Sequence, residues 1–170
     1  MFQDEGRFGR ISDPRRCWVR RPYRPHVSAQ RVREYIYAFA AVSPHDGVLD
    51  SLIMPVVNAD TMSIFLAEVA ARHSSEEILM ILDGASWHSA IDLVSPPNMR
   101  LVLLPSYSPE LNPVEHIWEE IREKWFHNEV FPSLDAVEQC LIDSLVTLET
   151  TPSRVQPLAG FNWIVAIPLK

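Results

Sequence analysis

Three carboxylates in this sequence stand where a fold of strands and helices presents side chains to one another. Asp4 follows the apolar Phe2, Asp83 ends the apolar run Ile78-Leu79-Met80-Ile81-Leu82, and Glu115 lies in the first turn of a helix opened by Asn112-Pro113. In open α/β sheets, functional groups collect at strand ends and at the helix starts that adjoin them. Three converging carboxylates supply the oxygen donors that hard divalent cations take. Two such ions about 3.5–4 Å apart stabilise both the attacking and the leaving oxygen of a phosphodiester. The chemistry suggested is in-line phosphoryl transfer assisted by a pair of Mg²⁺ ions.

Each carboxylate also has a plainer reading. Glu115 stands three residues after Asn112, which is the spacing of a capping box in which the glutamate bonds back to the N-cap amide. Asp83 before Gly84 suits a turn, and Asp4 beside Glu5 suits a solvated chain start. Glu119, Glu120 and Glu123 read as charges on a solvated helix face, Glu119 and Glu123 being one turn apart. His88 lies near Asp83 in sequence, where it suits either contact with a phosphate or base or a satisfied structural role.

The elements that must position these residues follow from periodicity. Tyr35 to Val42, the turn Pro44-His45-Asp46-Gly47 and Val48 to Val57 read as a β-hairpin. Met62, Phe65, Leu66 and Val69 fall on one face of a helix with Asp60 as candidate N-cap, ending near His73. Ile78 to Leu82 and Leu101 to Leu104 read as strands buried on both faces. Asn112 as N-cap and Pro113 at the first position open a helix whose apolar stripe is Val114, Ile117, Trp118, Ile121 and Trp125. A last helix starts at Ser133 and packs through Leu134, Val137, Leu141, Leu145 and Leu148. The order predicts one α/β domain over residues 1–170, layered around a mixed central sheet flanked by helices.

Charge is distributed unevenly. Residues 1–33 hold nine arginines against three acids, so that segment carries about +6 while the rest of the chain carries about −13 of the −7 total. The stretch from 7 to 33 also contains Pro14, Pro22 and Pro25 and no sustained apolar period, which predicts a basic loop or irregular strand pair. Within it Trp18 and Tyr23 are interleaved with Arg15, Arg16, Arg20, Arg21 and Arg24. That mixture of cations and aromatics suits phosphate backbones and exposed bases, and equally a solvated loop paired with the acidic body. Cys17 and Cys140 are too few and too far apart for a disulfide framework or a zinc site, which predicts structural buried thiols in a reducing compartment. No apolar run approaches the ~18–20 residues of a membrane span and no signal segment opens the chain, so a soluble, cytoplasmic protein is expected.

The strings FQDEGRFGR at 2–10, LMILDGASWH at 79–88 and LPSYSPELNPVEHIWEEIRE at 104–123, in that order, resemble the catalytic blocks of the DDE superfamily endonucleases. Among these they are most similar to bacterial insertion-sequence transposases of the branch related to mariner elements. SYSPELNPVEHIW is the most specific of the blocks, and weaker similarity extends through Trp18 and LAGFNWI at 158–164. The resemblance implies an RNase H-like fold with Asp4, Asp83 and Glu115 as catalytic and metal-binding triad. Asn112 would then support Glu115 by capping its helix.

It further implies two Mg²⁺ or Mn²⁺ ions, cleavage of DNA at transposon ends, and attack of the freed 3′-hydroxyl on target DNA. A TA target and a homodimer at least are implied as well. Full-length relatives carry an upstream helix-turn-helix segment that reads the element ends, which is expected to be absent here. Because only Met1, Phe2 and Gln3 precede Asp4, the first strand is expected to be truncated. The 31 residues between Asp83 and Glu115 imply a somewhat shortened loop within 84–100. Two other functions fit the same residues: a non-catalytic DNA-binding remnant working through the basic arm, and a repair or resolving nuclease on the same fold.

Overall fold

The computed structural model describes residues 1–84, 93–105 and 108–166. One side of its sheet is a β-hairpin built where the apolar, β-branched and aromatic run is longest. Strand β2 (Arg31–Val42) pairs antiparallel with β3 (Leu49–Met54), from Val42 opposite Leu49 to Tyr37 opposite Met54. The turn between them closes with Ser43 N–H donating to Val48 O at 2.8 Å and Gly47 N–H to Ser43 O at 2.9 Å. Gly47 takes φ 76°, a conformation that side chains with a Cβ resist. Strand β1 (Phe2–Ile11) lies antiparallel along the other edge of β2, and its start runs parallel to β4 (Ile78–Leu82) with Phe2 opposite Ile81. β4 in turn runs parallel to β5 (Met99–Leu103). The result is a mixed five-stranded sheet in the order β3-β2-β1-β4-β5.

Helices cover both faces. Helix α1 (Ala59–Arg72) packs Met62, Phe65, Leu66 and Val69 against Phe39, Ala41, Met80 and Leu82. On the other face, α2 (Val114–Ile121), α3 (Leu134–Glu149) and α4 (Pro152–Ala159) enclose Phe2, Phe8, Ile36, Ala38, Ala40 and Val42 with Ile117, Trp118, Leu141 and Leu148. A π-helical turn (Arg122–Phe126) follows α2, and a short helix α5 (Asn162–Val165) ends the described chain. Each fully buried large side chain contributes about 1.5–3 kcal/mol, so both layers hold the sheet. No described helix is long and apolar enough to cross a membrane.

The mixed α/β architecture, the hairpin, α1, β4 and the Ser133 start of α3 agree with the sequence reading, and several details differ. The first strand is not cut short at its carboxylate. It runs ten residues because it extends beyond Asp4, with Phe2, Gly6 and Phe8 buried on one face and arginines accommodated at the others. The segment 7–33 is accordingly a loop only from 12 to 30, its two ends belonging to β1 and β2. The N-cap of α1 is Asn58 rather than Asp60: its side chain accepts from Thr61 N–H at 2.8 Å while Thr61 Oγ1 accepts from Asn58 N–H at 3.1 Å.

Strand β4 is wholly apolar and β5 is apolar except for Arg100, yet neither is buried on both faces, since Leu79, Val102 and Leu103 are 42–50% exposed. Helix α2 begins one residue later than expected, with Pro113 in the cap position, and Trp125 leaves its apolar stripe because the backbone widens into the π turn. Cys17 is exposed and Cys140 only half-buried, both as free thiols, because Cys17 sits in the exposed loop.

Candidate active site

The register of the sheet decides where the carboxylates lie. Phe2 and Ile81 are partners across the parallel pair β1/β4, so two residues further along each chain Asp4 and Asp83 come level, on strands spaced about 4.8 Å apart. Side chains alternate with period two, which puts Asp4 on the face of Phe2, Gly6 and Phe8, beneath α2. On its other side Asp4 is paired with Ala40 of β2, whose small side chain leaves the carboxyl room. Asp4, Glu5 and Asp83 border one open cleft of about 740 Å³, together with Arg7, Tyr35, Tyr37 and residues 55–57 beyond the end of β3. That cleft lies at the carboxyl ends of β3 and β4, where open α/β sheets hold their ligands.

Helix α2 brings the third carboxylate. Glu115 and Trp118 are three residues apart and therefore neighbours on one helix face. The Trp118 indole N–H donates to Asp4 Oδ2 at 2.9 Å, which holds that face of the helix over the strand. Glu115 lies close enough to act electrostatically on Asp4. Burial raises the Asp4 carboxyl from its ordinary 3.8 to about 7; the negative charges of Glu115 and then Glu5 push in the same direction, and hydrogen bonds from Trp118 and the Glu5 backbone only partly offset them.

Asn112 ties the same two elements together. Its Nδ2 donates to Gln3 O at 2.9 Å, and its Oδ1 accepts from Val114 N–H at 3.2 Å, all within the buried interior. The capping-box reading of Glu115 does not hold in this arrangement, because the Asn112 backbone N–H is taken by Pro109 O at 2.9 Å. His88 lies outside the described residues. Glu119 is exposed and Glu120 pairs with Arg154 at 2.7 Å, away from Asp4. Two residues of the site were not singled out from sequence. Glu5 borders the cleft and accepts from the buried Gln3 amide at 3.0 Å, and Trp118 was visible only as one member of an apolar stripe.

The structure thus relates Asp4 to Asp83 through the register and Asp4 to Glu115 through charge. Among the described residues, no three His, Cys, Asp or Glu side chains stand close enough to hold one ion. The donor set nevertheless suits a divalent cation: all its groups are carboxylate oxygens, and although burial is the main reason the Asp4 carboxyl is raised, the charges of Glu115 and Glu5 that add to it are ones a cation offsets.

The arginine-rich loop stands apart from this cluster. Arg15, Arg16, Trp18, Arg20, Arg21 and Arg24 are all exposed, Trp18 completely. The base of the loop is fixed to the segment after α2, with Arg15 N–H donating to Asn128 Oδ1 at 3.0 Å and Gln30 Nε2 to Phe131 O at 2.9 Å. Asn128 itself has φ 63°, a left-handed conformation that asparagine tolerates better than most residues. Arg15 also pairs with Asp13 at 3.1 Å, whereas the stretch around Trp18 extends away from the body.

The strand order 3-2-1-4-5 puts Asp4 on the central strand, with Asp83 level with it and Glu115 on a facing helix. Residues 1–138 match the family of DDE superfamily endonucleases, and the chain belongs to it. It is 36% identical over 130 residues, 76% of this chain and 96% of the relative, to the uncharacterized protein y4pE/y4sA of Sinorhizobium fredii (strain NBRC 101917 / NGR234). Among solved structures it is similar to a pre-cleavage Mos1 transpososome, with TM-score 0.65 and 12% identity, covering 99% of this chain and 56% of that one. A Mos1 mariner paired-end complex with Mg is similar too, with TM-score 0.63 and 17% identity, covering 97% and 54%. The fold is therefore RNase H-like, and the chain spans just over half the length of those transposase chains.

Proposed function

We propose that this chain is the catalytic domain of a transposase of an insertion sequence, cutting DNA at the element's ends and joining the freed 3′ ends to target DNA. Asp4, Asp83 and Glu115 are the carboxylates that hold two Mg²⁺ or Mn²⁺ ions in this reading. The observation that carries it is the convergence on Asp4, which the β1/β4 register brings level with Asp83 and whose carboxyl is raised by burial first and then by the nearby charge of Glu115. When bound, such ions lower the pKa of an attacking water or hydroxyl and neutralise charge on the phosphate.

The protein's own part is positional. β1 and β4 present Asp4 and Asp83 to one cleft, α2 carries Glu115 near enough to act on Asp4 by charge although it borders a separate pocket, and Asn112 fixes the start of that helix to β1. The exposed loop with Arg15, Arg16, Trp18, Arg20, Arg21 and Arg24 supplies cations for the DNA backbone and an aromatic surface for unpaired bases.

The test is Mn²⁺ binding by calorimetry on the 170-residue chain, followed by cleavage of DNA carrying candidate element ends. Binding and cleavage that Asp83→Ala and Glu115→Ala both abolish are the expected result. Cleavage that proceeds equally in Asp83→Ala excludes the triad, and salt-sensitive DNA binding without any cleavage leaves a DNA-binding remnant as the function.

A further inference from the structure

Trp118 reaches Asp4 through a seat that β1 provides. Asp4, Gly6 and Phe8 alternate onto one face of the strand, and a Cβ at Gly6 would come within 2.9 Å of the Trp118 ring and 2.8 Å of the Phe8 ring. The missing side chain is thus the space into which the indole fits. Phe8 packs edge-on against it with ring centroids 5.8 Å apart, and the ring is 1% exposed. With the indole locked in this way, its N–H has one partner, Asp4 Oδ2 at 2.9 Å. An apolar side chain would fill the seat equally well. The indole adds a single donor aimed at one oxygen of a carboxylate that borders the cleft. Because Glu115 lies one turn before Trp118, the same contact also sets the rotation of α2 and hence the distance from Glu115 to Asp4.

We infer that Trp118, seated on Gly6, is a positioning residue that fixes the Asp4 carboxylate and the phase of Glu115 for divalent-cation binding. This rests on the metal-binding reading of Asp4 proposed above. Hydrogen-bond partners behind a metal ligand commonly change affinity or activity about 10–100-fold when removed.

The test pairs Trp118→Phe, which keeps a ring in the seat, with indole N–H resonances from ¹⁵N-labelled protein titrated with Mg²⁺. The Trp118 signal is identified by its loss in the variant. The expected result is that Mg²⁺ shifts this resonance in the wild type, that Asp83→Ala abolishes the shift, and that a folded Trp118→Phe binds Mn²⁺ at least tenfold more weakly. Gly6→Ala, which displaces the indole without altering any carboxylate, is expected to weaken Mn²⁺ binding similarly and serves if Trp118→Phe does not fold. Mn²⁺ affinity unchanged in folded Trp118→Phe or Gly6→Ala overturns the positioning role alone, since the wild type still binds. Absence of any Mg²⁺ response or Mn²⁺ binding in the wild type overturns the metal reading and this role with it.

Discussion

Asn112 Nδ2 donates to the carbonyl of Gln3 at 2.9 Å, a bond across 109 positions of sequence that joins the residue before Asp4 to the residue three before Glu115. The other end of the same amide accepts from Val114 N–H at 3.2 Å. One buried side chain therefore completes the backbone bonding of two elements that each carry a candidate ligand. Replacing it by alanine strands a buried carbonyl and a buried N–H, each at a cost of about 1–3 kcal/mol. Asn112→Ala is expected to lower the urea midpoint by the equivalent of about 2–6 kcal/mol with an unchanged slope, since the unfolded chain is not altered. A midpoint within 0.5 kcal/mol (roughly the scatter of surface substitutions) would show that water replaces both bonds and that the amide is dispensable.

The Asp4 carboxyl makes stability depend on pH in a known direction. Its value in the folded chain is about 7 against 3.8 ordinarily, so between these pH values the folded state holds more protons than the unfolded one. Stability contributed by this group therefore falls as pH rises from about 4 to about 7, and the penalty is fully present above that range. Asp4→Asn retains an acceptor for the Trp118 indole but carries no charge. It is expected to match the wild type near pH 4 and to exceed it progressively toward pH 8, at about 1.4 kcal/mol for each unit of the shift. Thermal melts of both proteins across that range measure it, and parallel curves would contradict the raised carboxyl.

Much of this framework was legible in sequence, and the misses have common physical causes. The hairpin, β4 and α3 were readable because each buries a regular stripe, as Leu134 to Leu148 does at helical spacing. Asp83 and Glu115 stand at the end of one such element and the start of another, whereas Asp4 lies within β1, which continues beyond it. Strand β1 is longer than the three residues before Asp4 suggest, because it continues past Asp4 through glycines and arginines, where its pairing with β2 and not its composition makes it a strand. Helix α4 carries no clear local signal because Pro152 and Pro157 argue against a helix, while Pro152 in fact occupies the first turn, where its missing N–H costs nothing, and α5 is only four residues, too short to show a helical period. The exposure of Leu79 and Val102 depends on what covers the sheet, which no local pattern carries. Trp118 was read as core, correctly, but the bond from its one polar atom is a tertiary fact.

The two thiols are expected to react at different rates. Cys17 is exposed in the loop, whereas burial first, and then the charges of Asp143 and Glu129, push the Cys140 thiol above its ordinary value. The thiolate is the reactive form, so Cys140 is doubly slowed by access and by ionisation. A disulfide reagent at pH 8 should consume one thiol rapidly and the second much more slowly, with Cys17→Ser removing the fast phase. Equal rates would mean that the α3 surface around Cys140 opens readily in solution.

The basic loop is expected to bind DNA with a contribution separable from the carboxylates. Arg20, Arg21 and Arg24 are exposed and make no described ion pair that anchors the fold, so their replacement by alanine should leave the melting temperature within about a degree, as surface substitutions do. Each phosphate contact releases counterions, and log affinity falls against log salt with a slope of about −0.9 per contact on duplex DNA. Fluorescence anisotropy at several KCl concentrations should therefore show the slope of the triple variant reduced by up to about 2.7 units. Trp18→Ala probes a different term. Its fully exposed ring offers a face for an unpaired base, so the variant should lose about 1–3 kcal/mol on single strands and little on duplex. If the slope is unchanged in the arginine variant while Asp83→Ala alters it, DNA is held by the cleft rather than by the loop.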